Sequence, residues 1–487
     1  MGYTISPEDL PVPGRDTFFW LGQINKASAA INTNASLLDR HIAQRIARGL
    51  QTMLDSAKEP NAPRPSLVIT FEPLLIEAAG VEATLLHAGR SSQDMLTTAS
   101  TAILRDAVLN LASQLRATTG RLLELAGTHS ATLVPNYTNG VAAQPNSYGH
   151  YLLGHVAGLQ RDAERVRQFY ARLDRCAMGA AVLNGTSWPL DRRRMAGYLG
   201  FAAVVDNAYD AAQISAAELP VELGAIAAQV ALHAGAYVQD VMVQYSQPRP
   251  WILLREGAGN TYVSSAMPQK RNPGLLNNAR AQASRVVTLG IGRAIQGHNL
   301  PPGMVDAKSL ADNLAVANGA AGVLSDWRRI LDALVVDGGR SLEELDLDWT
   351  ASQELADVLM RERKVPFRVG HHFASQVVTH AKKHGLRPSS FPYAEAKRIF
   401  EETLEHAELE KGGFAFLSED EFRSALDPAG IINRRATSGG PQPDEMQRMI
   451  ANSERKLENL KDWVEDSRNR IEGSLQALDE AFNGLLQ

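Results

Sequence analysis

The segment Thr261-Tyr-Val-Ser-Ser-Ala-Met-Pro-Gln-Lys-Arg-Asn-Pro273 gathers two neighbouring serines, an ammonium, a guanidinium and an amide within a few residues. This set suits removal of a proton from the carbon beside a carboxylate. The product is an aci-carboxylate carrying two negative charges, and it needs a fixed cation and amide donors aimed where the charge develops. Lys270 and Asn272 can supply them, and Ser264 can take the proton once its surroundings favour its own ionisation. The glycine-rich approach Glu256-Gly-Ala-Gly-Asn260 can hinge the loop over a substrate. The bland alternative is a proline-bracketed surface turn that carries charge.

Two further polar segments lie between long apolar stretches, where function tends to sit. His87-Ala-Gly-Arg-Ser-Ser-Gln-Asp94 precedes a helical pattern, and its hydroxyls, amide and free N–H groups could bind an anion. Read alone, it is a capping segment. Pro135-Asn-Tyr-Thr-Asn-Gly-Val-Ala-Ala-Gln-Pro145, read alone, is a polar loop leading into a helix.

The elements that must position these loops are helices. Leu104, Val108, Leu111, Leu115 and Leu122 share one helical face in the proline-free run 97–125. Ala227–Tyr245, Leu275–Gln296, Ala307–Val335 and Glu445–Leu486 read the same way, which suggests a long central bundle. Small residues such as Gly235, Ala236 and Gly319–Gly322 would permit close helix approach. Breaks fall at 130–146, 246–273, 386–392 and 411–443. No stretch alternates as a long strand, and no internal repeat is visible. The reading is all-α with three parts: an N-terminal helical domain over 1–112, a long-helix bundle carrying the serine loop over 113–364, and a C-terminal helical domain over 365–487.

At 487 residues the chain exceeds one ordinary core. Its aromatic content of 6%, with alanine and leucine throughout, favours helices over sandwiches or barrels. The net charge of -5 with no basic stripe argues against nucleic acid as a partner. One cysteine, Cys176, excludes an intrachain disulfide and reads as a buried inert thiol. The polar N-terminus lacks a signal-peptide core, and no apolar run is read as a membrane span, so a cytoplasmic location is expected.

Residues 263–273 resemble the signature loop of the fumarase/aspartase superfamily, roughly G-S-S-x-M-P-x-K-x-N-P, with Val263 in place of the leading glycine. Residues 87–94 resemble the argininosuccinate lyase stretch H-T-G-R-S-R-N-D-Q, and residues 135–145 its G-Y-T-H-L-Q-x-A-Q-P. Met178–Thr186 with Asp191 and Arg192 resembles P-L-G-S-G-A-L-A-G-T…D-R, and Val365–His371 resembles V-P-F-R-x-A-H. The five pieces stand in family order over most of residues 70–375. The resemblance implies an all-helical homotetramer around a twenty-helix core, with active sites shared between subunits. It implies anti β-elimination of an amine from an N-substituted aspartate, or the reverse addition to fumarate, with no metal or organic cofactor. Ser264, Lys270 and Asn272 then carry catalysis. Arg90, Ser91, Ser92, Gln93, Thr138, Asn139, Gln144, Ser265 and Met267 surround a small dicarboxylate or amino-acid substrate.

The departures from that pattern cluster on one side of the reaction. The family's Thr-His pair is Thr138-Asn139, and an amide cannot donate the proton that a departing nitrogen takes up. Val141 replaces a glutamine. The lyase's S-D-R-D arginine corresponds to Tyr209, and the tyrosine of P-L-A-Y-N-K-D is absent from Pro301–Ala307. These positions would meet the half of the substrate that is not fumarate. The resemblance therefore points away from argininosuccinate and toward another N-succinyl-type compound, as handled by aminopolycarboxylate lyases such as ethylenediamine-disuccinate lyase. Elimination of another leaving group, intramolecular addition, or an inactive structural relative are the competing readings. His150, His155, His371 and His372 stay open as replacements for the missing acid.

Overall fold

The computed structural model describes residues 5–410 and 413–487, so the first four residues and the start of the 411–443 stretch fall outside the description. The chain is overwhelmingly helical. The N-terminal part holds α1 (Thr17–Asn34), α2 (Arg40–Ser56) and α3 (Val68–Ala79). The central part holds α4 (Ser92–Thr128), the strands β1 (Leu133–Thr138) and β2 (Val141–Ser147), α5 (Tyr148–Leu173), β3 (Arg175–Cys176), α6 (Arg192–Tyr198) and β4 (Ala203–Val204). It continues with α7 (Ser215–Tyr245), β5 (Ile252–Leu254), β6 (Tyr262–Val263), β7 (Arg271–Asn272), α8 (Gly274–Gly297), α9 (Leu310–Ala333) and β8 (Leu334–Val336). The remainder is α10 (Gly338–Leu347), α11 (Ser352–Arg363), α12 (Phe367–His384), α13 (Tyr393–His406), α14 (Glu419–Ala425), α15 (Pro428–Asn433) and α16 (Pro443–Leu486).

The apolar faces expected from sequence are the buried ones. Leu104, Val108, Leu111, Leu115 and Leu122 are all buried on α4, and Leu460, Val464, Ile471, Leu475, Leu478 and Phe482 on α16. One core joins α1, α4, α5, α7, α8, α9 and α16. A second, built from Trp349 to Ile431, belongs to α11–α15. Residue 112 lies within α4, and residue 364 is the left-handed cap that ends α11.

Four expectations need correction. The tightest helix crossing lies at Gly224 and Gly290, where a Cβ on Gly290 would stand 2.3 Å from the Gly224 carbonyl oxygen; Gly235 faces open space, whereas Gly319 does lie close to α8, with Val286 Cγ2 3.0 Å from where its Cβ would be. The 135–145 segment is a β-hairpin, not a loop: β1 and β2 pair antiparallel around Asn139 (φ 52°) and Gly140 (φ 78°). Two positive φ values in a two-residue loop match the right-handed twist of the flanking strands, and Asn-Gly adopts them at low steric cost. The 411–443 stretch contains two short helices, each started by a capping side chain, Ser418 and Asp427. The stretch Asp210–Tyr245 is long and apolar enough to cross a bilayer by composition. Here it packs lengthwise against α8 and α9.

Candidate active site

The first segment starts α4. Ser91 is its N-cap, with its hydroxyl accepting from the Gln93 N–H (3.3 Å), while Asp94 accepts from the Ser91 N–H (2.9 Å). Asp94 is fully buried, and its second oxygen takes the N–H groups of Gly179 (3.0 Å) and Ala181 (3.1 Å). Burial pushes its pKa up while these three donors pull it down. The capping reading of this segment holds, and Asp94 braces it against the 178–186 loop. That loop is strained: Ala181 and Val182 sit at φ 47° and 77°, a region that L side chains avoid. The Arg90 guanidinium turns inward onto Asn25 Oδ1 and Ser28 Oγ, both at 3.1 Å, and burial lowers its pKa to about 10.

Ser92 and Gln93 line a cavity of about 530 Å³, together with the start of α7 and residues 305–313. Lys308 in its wall was missed by sequence reasoning. Its Nζ donates to the carbonyl of Ala212 (2.5 Å) and to Gln213 Oε1 (3.3 Å), both in the π-helical turn Asp210–Ile214. Burial lowers its pKa. Asp312, also in the wall, is paired with Arg293 at 3.1 Å. Nothing in the sequence announces that the 301–309 loop meets the π-turn.

The second segment is the hairpin. Thr138 and Asn139 stand exposed at its tip, and Gln144 donates to Gln353 Oε1 at 3.2 Å. Close to the tip it is anchored by Tyr137, whose hydroxyl accepts from Trp251 Nε1 (2.9 Å) and Gln244 Nε2 (3.1 Å) and donates to Glu344.

The third segment is a tight hairpin closed by β6 and β7, with Tyr262 opposite Asn272 and Val263 opposite Arg271. The Ser264 N–H donates to the Lys270 carbonyl (3.3 Å), and the Asn272 amide donates to the Tyr262 carbonyl (3.4 Å). Ser264 Oγ accepts from the backbone N–H groups of Met267 (3.2 Å) and Ala266 (3.4 Å). Arg271 braces the turn through Glu256 (2.9 Å) and the Pro268 carbonyl (2.7 Å). Ser265, Met267 and Lys270 are exposed on its outside. The loop thus brings Ser264, Lys270 and Asn272 onto one small hairpin. Donors converging on the serine oxygen favour its alkoxide, which is the form a base requires.

The three segments do not meet within one chain. Ser91–Gln93 start α4 and the Thr138–Asn139 hairpin follows its end; at 1.5 Å per residue its 37 residues separate them by about 55 Å. Gln244, near the end of α7, touches Tyr137, and α8 runs back antiparallel, so the serine loop emerges at the hairpin end.

The remaining candidates are accounted for by packing. His150 Nε2 contacts the Gly439 carbonyl (2.8 Å). His155 lies edge-on against Tyr151, Tyr237 and Trp327, and burial, with His233 nearby, lowers its pKa to about 4. His371 lies beside Phe367, and His372 beside Gln376. Cys176 is buried, and burial pushes its thiol up to about 11.

The structure is a long helical bundle with a serine-lysine-asparagine hairpin between two of its helices. Comparison with known proteins gives its class. A lyase family model matches residues 20–288, and an argininosuccinate lyase C-terminal model matches residues 349–433. Argininosuccinate lyase of Methanosarcina acetivorans is 28% identical over 429 residues, covering 85% of this chain and 82% of the relative. That of Methanothermobacter thermautotrophicus is 26% identical, covering 92% of each. The fold is shared with EDDS lyase solved with formate (TM-score 0.82, 22% identity, 100% and 97% coverage). It is shared also with class II fumarase of Schistosoma mansoni (TM-score 0.63, 16% identity, 88% and 92% coverage). The chain belongs to this lyase family, as a divergent, argininosuccinate-lyase-like member of the fumarase/aspartase superfamily, and it is a carbon–nitrogen lyase.

Proposed function

We propose that the chain catalyses reversible anti β-elimination from an N-substituted aspartate, giving fumarate and an amine. The observation that carries this reading is the Ser264 oxygen held by two backbone N–H groups on the hairpin that also bears Lys270 and Asn272. As an alkoxide, Ser264 Oγ takes the proton from the carbon next to the side-chain carboxylate. The released pair forms the aci-carboxylate, whose charge Lys270 and Asn272 offset. The pair then closes the C=C bond as the Cα–N bond breaks and its electrons leave on nitrogen. A nitrogen that enters as an ammonium departs as a neutral amine and needs no acid, which accommodates Asn139 in place of histidine.

The Ser91–Gln93 end of α4 lies about 55 Å from the hairpin end of the same chain, where the serine loop also emerges, which supports a working site shared between copies. Leu232, Ile291 and Ile295 are more than half exposed on α7 and α8, an apolar face suited to a partner bundle. A homotetramer follows from the family's architecture. Substrate entering beside Gln93 meets Lys308, a half-buried ammonium bonded to neutral oxygens, which suits an amine half bearing a carboxylate. Ser91, Ser92, Thr138, Gln144, Ser265 and Met267 complete the proposed surroundings of the dicarboxylate, with Arg90 supporting them from inside.

The test incubates the protein with fumarate and a panel of amines, amino acids and diamines, and follows loss of fumarate absorbance. Anionic amines should react, and Lys308→Met should raise KM for them while leaving kcat nearly unchanged. No loss of fumarate with any amine, and none released from N-succinyl compounds, would remove the reading.

A further inference from the structure

The β1–β2 hairpin, the start of α5 and the end of α7 enclose a second cavity of about 310 Å³, within the range of small-ligand sites. Tyr137, Tyr148, Tyr151 and Trp251 wall it, with the hairpin tip at Asn139. Tyr148 and Tyr151 are stacked at 5.7 Å, and Trp251 stands edge-on to Tyr148 at 5.8 Å. The Trp251 N–H is taken by the Tyr137 hydroxyl, and that hydroxyl by Glu344, so these two side chains have only their rings left for a ligand.

Among the described residues, Asp240 is the one formally charged side chain in the wall. It accepts from the Tyr151 hydroxyl at 2.7 Å and has no ion-pair partner among the described residues. The arginines that reach the wall through Glu344 and Tyr137 are engaged with glutamates: Arg249 with Glu343 at 3.1 Å, and Arg340 with Glu343 and Glu344 at 3.7 and 3.6 Å. We propose that this cavity is a binding site for a small organic ammonium ion. Aromatic rings attract a cation through their quadrupole, and most strongly where water is displaced. A neutral apolar ligand would bury the Asp240 carboxylate without a counter-charge, which is costly. A metal ion is disfavoured, because the described residues hold no group of three or more His, Cys, Asp or Glu side chains that could ligate one. The inference is carried by the walls alone and holds whatever reaction the Ser264 loop performs.

The test is calorimetric titration of the full chain, at fixed ionic strength, with choline and with its uncharged isostere 3,3-dimethyl-1-butanol. Choline should bind saturably, one per chain, and about tenfold or more tighter than the alcohol. Asp240→Asn keeps an acceptor for Tyr151, so the fold is retained, and should weaken choline binding by a similar factor. Equal binding of the alcohol, choline binding unchanged in Asp240→Asn, or no saturable choline binding at millimolar concentration would each overturn the proposal. The comparison of the two ligands on the unmodified protein requires no variant.

Discussion

His155 should make the fold sensitive to acid in a defined interval. Its ring is held at 4.9 Å from Tyr151, 5.2 Å from Tyr237 and 5.8 Å from Trp327. In the unfolded chain a histidine titrates near pH 6.5, and in this setting near about 4. Between those values the unfolded chain binds the proton more readily than the fold does. The stability contributed by the neutral ring is therefore complete above the unfolded pKa and is lost as pH falls toward the folded one. At about 1.4 kcal/mol per pKa unit, the interval is worth about 3 kcal/mol. His155→Leu removes the titration while keeping an apolar side chain of similar size. Chemical denaturation at one protein concentration, run for both proteins from neutral pH to about pH 4, isolates the effect. The packing change contributes a constant offset, and the gap between the two should shift by about 3 kcal/mol in favour of the variant across the interval. A gap that stays constant with pH would show that the buried ring does not resist protonation.

Two further perturbations test how the active-site segments are held. Asp174 pairs with Arg105 at 3.0 Å and with Arg470, and Arg105 is fully buried with its remaining bonds on the carbonyls of Leu199 and Gly200. Asp174→Asn removes the carboxylate bonded to that guanidinium, leaving only the neighbouring Asp106 charge, and should cost about 3 kcal/mol in denaturation; a loss under about 1 kcal/mol would contradict this. Ala181 occupies a left-handed conformation at φ 47° where its N–H holds Asp94. Ala181→Gly should stabilise the protein by about 1 kcal/mol in the same assay, whereas destabilisation would show that the Ala181 methyl group matters more than the strain.

The parts of the fold legible in the sequence are those with long helical periodicity. α4, α7, α8 and α16 are marked by apolar residues recurring every three to four positions, and burial follows that stripe. The hairpin was hidden because its strands are short and contain Pro135 and Pro145, although Asn139-Gly140 is a direct signal for its turn. α14 and α15 are too short to show a period; Ser418 with Glu421, and Asp427 before Pro428, were their only markers. At the proposed site, Ser264, Lys270 and Asn272 could be picked out because they are neighbours in sequence. The roles of Asp94 and Lys308 were not, because Asp94 meets Gly179 and Ala181 some 85 residues away, and Lys308 meets a π-turn that no local pattern predicts.

The central claim is that Ser264 is the base. It is tested most directly by turnover of the Ser264→Ala variant relative to the unmodified chain, with assembly of both checked by light scattering. The account predicts that the variant assembles normally and loses about a thousandfold in kcat. A correctly assembled variant within about threefold of the unmodified rate would contradict it.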